Sequence, residues 1–295
     1  MPTLYEVYKD AIKKLLNKDK DEINVRILLC ENNSLNSMSE FYLKRNENIH
    51  DLQRFNDEFA RFLAGEPIQY IVGKSEFFGS TFKVDKRVLI PRQETEEVAF
   101  YALRKMLSVF PDQDIELADV CCGSGCIGIS LAKHIKLKTL YLSDISQDAC
   151  DLAVENIALN NVSGYVLHGD ALKPFIKHGI KLDVIVANPP YILKREDVDK
   201  SVLDYEPHNA LFTDDSLEVY RSILMDVKLV MKDKLLIVFE IGYDLKEKLI
   251  NLLYELNLEC SYSFRKDINN KDRIFSILLE KKHENNWKKQ SWISF

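Results

Sequence analysis

Four consecutive residues, Asn188-Pro189-Pro190-Tyr191, carry the most specific chemical signal in this chain of 295 residues. They follow Val184, Ile185 and Val186, a β-branched run that reads as a buried strand. Two adjacent prolines donate no backbone hydrogen bond and hold φ at about −65°. Pro189 also pushes Asn188 towards extended backbone. A strand end locked in this way presents one side-chain amide and one aromatic ring at fixed positions, unless it is no more than a stiff turn. A second group of residues argues for chemistry. In "ADVCCGSGCIGIS", Gly123 and Gly125 allow a tight turn and close approach of a ligand to the backbone, and the helix expected to follow offers unpaired N–H groups. Asp144, about twenty residues on at the end of the next strand, is an acid able to accept from both ribose hydroxyls. Glycine loop and acid together indicate a nucleoside-containing cofactor rather than a purely structural turn.

The glycines alone leave a nicotinamide cofactor open, because Gly128 stands where the third fingerprint glycine would. Three features count against it. Asp119 lies within the strand two residues before the loop, no pyrophosphate-pairing arginine is evident, and hydride transfer has no use for Asn-Pro-Pro-Tyr.

The elements that must position these residues fall into two textures. The first seventy or so residues read as helices only: Leu4, Val7, Tyr8, Ala11, Ile12, Leu15 and Leu16 recur at helical spacing, as do Leu52, Phe55, Phe59, Phe62 and Leu63 before a capping Gly65. "SEFFGSTFKVDKRVLIPR" is short, β-branched and aromatic, which predicts a β-hairpin connector. From about Thr95, strands and helices alternate, predicting a mostly parallel, doubly wound sheet with helices on both faces. The last two strands, "CSYSFRKD" and "RIFSILLEK", have a short connection and should pair antiparallel. The expected division is a helical domain over 1–73, a connector over 74–94, an α/β domain over 95–282 and a tail over 283–295 that holds both tryptophans and has no assigned role.

Composition excludes several classes. A formal net charge of −6 argues against a large nucleic-acid footprint, which needs clustered Lys and Arg. No apolar run approaches the ~20 residues of a membrane span, and "MPTLYEVYKD" lacks the basic and apolar stretches of a secretory signal. The chain is therefore expected in the cytoplasm with its six cysteines reduced. The spacing of Cys121, Cys122 and Cys126 is not a zinc pattern, and the six histidines are scattered, so no metal is expected.

In combination these features resemble the class I S-adenosylmethionine-dependent methyltransferases with their Rossmann-like sheet, and in detail the HemK/PrmC family of peptide chain release factor glutamine methyltransferases. The resemblance covers nearly the whole chain. It includes the "IPR-x-ETE" signature (Ile90, Pro91, Arg92, Glu94, Thr95, Glu96), then Asp144-x-Ser146 with Ala149, Ala153 and Asn156. Asn188-Pro189-Pro190-Tyr191 comes next, followed in order by "YEPHNALF", Tyr220-Arg221, "FEIG" and "KDINNKDR". One departure bears on the cofactor: Cys121, followed by Cys122, stands where the family usually has the first loop glycine.

The resemblance implies S-adenosylmethionine as cofactor, held by Cys121, Cys122, Gly123, Ser124, Gly125, Asp144, Asp170, Ala171 and Asn188. It implies a release factor as protein substrate, methylated on the glutamine of its Gly-Gly-Gln motif by a cytoplasmic monomer. A glutamine amide is a poor nucleophile, so its nitrogen must be placed in line with the methyl group at about 3–3.5 Å. The Asn188 side-chain carbonyl and the Pro189 backbone carbonyl can accept its two N–H groups while Tyr191 stacks on its flat face, with Pro190 completing the substrate pocket. Asp170 either contacts adenine or caps a helix. Arg92, Glu94 and Thr95 either contact the cofactor or cap the following helix. Two related activities use a similar planar NH₂. A DNA adenine-N6 methyltransferase would have to flip its base and grip duplex phosphates, which the acidic balance disfavours. The related enzymes that methylate a ribosomal protein depart from "IPR-x-ETE". A non-catalytic binding module would have no need of Asn188 and Tyr191.

Overall fold

The computed structural model describes residues 1–15, 21–111, 113–192 and 199–281. Leu16 and the tail 283–295, with Trp287 and Trp292, lie outside the described residues.

Among the described residues five helices come first: α1 (Leu4–Leu15), α2 (Ile23–Asn32), α3 (Met38–Lys44), α4 (Leu52–Ala64) and α5 (Ile68–Val72). Local chemistry sets their ends. The Asp51 carboxylate accepts from the Arg54 N–H to start α4, and Gly65 stops it at φ 108°, a left-handed conformation that costs glycine little. The apolar stripes face inwards: Val7, Ala11, Leu28, Phe41, Phe55, Phe59 and Phe62 share one buried core. Tyr70 on α5 packs elsewhere, with Val84, Val88 and Ile90, and its hydroxyl donates to the Val88 carbonyl at 2.5 Å. The connector is the expected hairpin, β1 (Lys74–Phe77) antiparallel to β2 (Ser80–Lys83).

Beyond α6 (Gln93–Val109), β3 (Ile115–Val120), β4 (Leu137–Asp144), β5 (Tyr165–His168), β6 (Leu182–Ala187), β7 (Met231–Glu240), β8 (Ser261–Lys266) and β9 (Asp272–Glu280) form one sheet in the order β5-β4-β3-β6-β7-β9-β8. All its pairs are parallel except those of β9, which runs antiparallel to both β7 and β8. All six residues of β6 are buried, as a central strand covered on both faces requires. Val184 and Val186 join a core with α6 and α7 (Cys126–His134), whereas Ile185 and Ala187 join one with the helices Glu218–Val230 and Lys246–Glu255. The fold is thus the doubly wound α/β sheet that the alternation predicts. Strand order reverses at β3, between β4 and β6, and the carboxyl ends of these three strands open the crevice where such sheets bind ligands. Among the described residues no helix is long and apolar enough to cross a membrane.

Candidate active site

The loop leaving β3 turns through three left-handed residues, Cys121 (φ 59°), Gly123 (φ 52°) and Gly125 (φ 76°). Its glycines do different jobs. A Cβ on Gly123 would meet nothing within 4 Å, so this position needs glycine for its φ and for an open face. A Cβ on Gly125 would lie 2.9 Å from Leu142, and one on Gly128 would lie 2.7 Å from Leu142 and 2.8 Å from the Cβ of Asp119. Those two glycines let α7 press onto the sheet. Asp119 sits behind the loop, 1% exposed, accepting from the Gly128 N–H at 2.8 Å. Burial pushes its carboxyl up to about 8. It braces the loop from within. Asn156 of α8 (Gln147–Leu159) ties the same loop to the connector, because its side-chain N–H donates to the Ser124 carbonyl (2.9 Å) and to that of Lys83 (3.0 Å).

Asp144 ends β4 facing this loop. One carboxylate oxygen accepts from the Gly123 N–H and the other from the Ser146 N–H, both at 2.9 Å. Burial raises its pKa, and these backbone donations work against the shift. Each oxygen keeps a further lone pair, enough to accept a ribose hydroxyl. A cavity opens here, walled by Cys121, Gly123, Asp144, Asp170, Ala171 and Asn188 among others, with Cys122 and Ser124 also on its wall. Gly125 is not on the wall. Asp170 pairs with Lys173, and Ala171 takes a left-handed φ of 47°. An open glycine face, an acid with spare lone pairs and a cavity that both of them line fit S-adenosylmethionine.

Cys121 is the costly residue of this loop, since a left-handed L-residue other than glycine is disfavoured by roughly 1–2 kcal/mol. Cys121→Gly is expected to change stability by less than ~1 kcal/mol, because relief of strain offsets the extra chain entropy of glycine. Cys121→Val should destabilise by about 1–3 kcal/mol, since a β-branched residue tolerates that φ least. Thermal melts of the two variants check this, and a Val variant as stable as the parent would contradict the backbone geometry.

A second cavity is lined by Pro189, Tyr191, Ile192 and Glu240 and shares Leu89, Arg92, Asn188, Pro190 and Ala210 with the first. Asn188 and Pro190 therefore stand on the wall between the two. Burial pushes the Tyr191 phenol up to about 12, so it is neutral, and its oxygen accepts from Arg273 Nη1 at 3.1 Å. Of the two roles expected of Arg92, Glu94 and Thr95, a side-chain cap on α6 is not what Arg92 makes. Arg92 starts α6 without a side-chain capping bond and instead donates from Nη2 to Glu206 at 2.6 Å, while Glu206 also accepts from the Ile90 N–H. The Thr95 hydroxyl donates to Glu240 at 2.6 Å, and Glu96 accepts from the Phe78 N–H of the hairpin at 2.8 Å. Arg92 and Thr95 also line the first cavity, but Glu94 lines neither.

Three side chains of this site lie in segments that carry the family resemblance, Glu206 in "YEPHNALF", Glu240 in "FEIG" and Arg273 in "KDINNKDR", but the sequence reading assigns them no individual role. Glu240 left a signal, a carboxylate at the end of the apolar run "LLIVFEIG", where an unpaired charge would be costly. For Glu206 and the half-buried Arg273 the partners Arg92 and Tyr191 are remote in sequence, so residue type alone does not point to them.

Fold and site together define an S-adenosylmethionine-dependent methyltransferase. A family profile described as PrmC N-terminal domain matches residues 6–73, and one described as Methyltransferase small domain matches 101–207. The chain is 38% identical to the release factor glutamine methyltransferase of Bacillus subtilis, over 95% of this chain and 99% of that protein. It is 39% identical to the enzyme of the same name from Staphylococcus aureus, over 77% and 81%. Among solved structures, the fold matches the hMettl16 catalytic domain in complex with the MAT2A 3'UTR hairpin 6, at TM-score 0.54 and 14% identity over 70% of this chain and 77% of that one. The chain belongs to the family of release factor glutamine methyltransferases.

Proposed function

We propose that this enzyme methylates the side-chain amide nitrogen of the glutamine in the Gly-Gly-Gln motif of class I release factors, working in the cytoplasm as a monomer. The observation that carries this reading is the shared wall: the cofactor cavity and the second cavity meet at Asn188 and Pro190. When bound, S-adenosylmethionine supplies a sulfonium-borne methyl group that an amide nitrogen can attack, leaving a neutral thioether. The chain's own task is to hold that nitrogen still. Asn188 accepts one amide N–H through its side-chain carbonyl, the Pro189 backbone carbonyl accepts the other, and the Tyr191 ring covers the flat face. As the C–N bond forms, the nitrogen gains positive charge and its hydrogens become more acidic, so both acceptors bind the transition state better than the ground state. Solvent takes the proton afterwards. Radiolabelled methyl transfer to a purified release factor, with its Gly-Gly-Gln glutamine changed as control, tests the reading. Label that persists in the control would overturn it.

The rival substrates are weaker. Duplex DNA would need a basic surface, against a net charge of −6. A ribosomal-protein substrate goes with a changed "IPR-x-ETE", which here is complete. A glutamine side chain offers too little surface to define a protein substrate, so residues 1–73 are proposed to dock the release factor. Because Tyr70 packs into the connector core, a shortened chain should start at Pro67. Such a chain is expected to keep S-adenosylmethionine affinity and to methylate intact release factor far more slowly, since a second docking surface no longer delivers the amide. A short Gly-Gly-Gln peptide should be an equally poor substrate for both forms. Equal rates on intact release factor would reduce the helical part to a structural role.

A further inference from the structure

The Tyr191 ring is fixed by more than its prolines. On one side Gly242 approaches so closely that a Cβ there would lie 3.1 Å from Tyr191 Cδ2. At its tip the hydroxyl oxygen accepts from Arg273 Nη1, which also donates to the Ile241 carbonyl at 3.3 Å. Arg273 Nε donates to Asp267 at 3.2 Å, and the Asp267 side chain is fully buried, with its other oxygen accepting from the Lys271 N–H at 3.0 Å. Glu240 completes the set: its carboxylate lies 4.0 Å from Arg273 Nη1, accepts from Thr95, and lines the acceptor cavity beside Tyr191. The Tyr220 hydroxyl holds the backbone of the same glutamate, donating to its carbonyl at 2.8 Å. Thr95, Glu240, Arg273 and Tyr191 thus join the start of α6, the ends of β7 and β9 and the catalytic loop after β6.

We propose that Arg273, held between the carboxyl groups of Asp267 and Glu240, is the positioning residue that sets the Tyr191 ring against the substrate amide. The proposal rests on the reading of Tyr191 as the ring that covers that amide. An arginine fork suits the task better than an ammonium because its planar donors reach several acceptors at fixed angles. Ring orientation then depends on the charge of Glu240, since losing it removes one of the two anions that hold the guanidinium. Every group facing Glu240 bears on that charge. Burial pushes its carboxyl up to about 7, Glu94 adds to the rise, and the Thr95 hydroxyl with Arg273 and Arg92 opposes it. Protonation of Glu240 should therefore slow methyl transfer as pH falls through about 7, giving the kcat profile an acid limb.

The test is a double-mutant cycle on the full chain with purified release factor. Arg273→Lys and Tyr191→Phe should each lower kcat about tenfold, with KM for the release factor and Kd for S-adenosylmethionine within about threefold. The double variant should also be about tenfold down, because both changes break one contact. Glu240→Gln keeps an acceptor for Thr95 but cannot titrate, so its kcat should be reduced and its acid limb absent. Tyr191→Phe removes a single oxygen and guards against a folding artefact. Multiplicative losses in the double variant, full kcat in Tyr191→Phe, or an unchanged acid limb in Glu240→Gln would each overturn the proposal. If the parent enzyme methylates no release factor, the proposal falls together with the functional reading. If the parent is active and the losses multiply, only the positioning role falls.

Discussion

Replacing Asn188 by alanine is expected to slow methyl transfer to a release factor by about 10²–10³-fold and to leave S-adenosylmethionine affinity within a few-fold. The magnitude follows from removing one preorganised partner of the developing charge, worth ~2.7–4 kcal/mol in comparable sites. The Pro189 carbonyl stays in place, so one N–H is still accepted and the loss should not extend to the whole rate enhancement. Asn188 stands on the wall shared by both cavities, which is why a small change in cofactor affinity is expected and a large one is not. Single-turnover rates and calorimetry on the same variant separate the two effects. Turnover near that of the parent would remove Asn188 from the chemistry.

The second large effect belongs to Asp144. Asp144→Ala should weaken S-adenosylmethionine binding by about 1.5–3 kcal/mol, the scale of hydrogen bonds to a charged group. Its carboxylate also receives the Gly123 and Ser146 N–H groups, so alanine loosens the loop as well as deleting the ribose contact. Asp144→Asn separates these contributions, because its side-chain oxygen still accepts one backbone N–H while the charge is gone. It should lose less affinity than the alanine variant and more than none. Calorimetric affinities equal to the parent's in both variants would mean that the ribose lies elsewhere.

Much of this site is legible in the sequence because its signals are local. Val184 to Val186 read as a buried strand because a strand covered on both faces is apolar at every position, and all of β6 is buried. Gly123 and Asp144 declare themselves through a spacing that the strand–helix unit enforces. The glycines of the loop look alike in sequence yet differ in structure: Gly125 and Gly128 serve packing against Leu142, which only the folded register reveals. The pairs Arg92–Glu206, Thr95–Glu240 and Arg273–Tyr191 were not legible. Each joins residues more than eighty positions apart, and neither periodicity nor turn chemistry carries information across such distances. Nor does composition show that Tyr70, inside a helical stretch, belongs to the core of the connector.

The central claim is that the methyl group goes to a glutamine side-chain amide nitrogen, and the most direct measurement is the chemical fate of that methyl. Intact release factor is methylated with S-adenosylmethionine labelled in the methyl group, purified and hydrolysed in acid. An N-methylated amide hydrolyses in acid to glutamate and methylammonium, so the account predicts that the label distils off as methylamine once the hydrolysate is made alkaline. It also predicts that no label is taken up when the Gly-Gly-Gln glutamine is replaced. Label retained on an amino acid after hydrolysis, or transferred equally well to the glutamine-replaced protein, would contradict it.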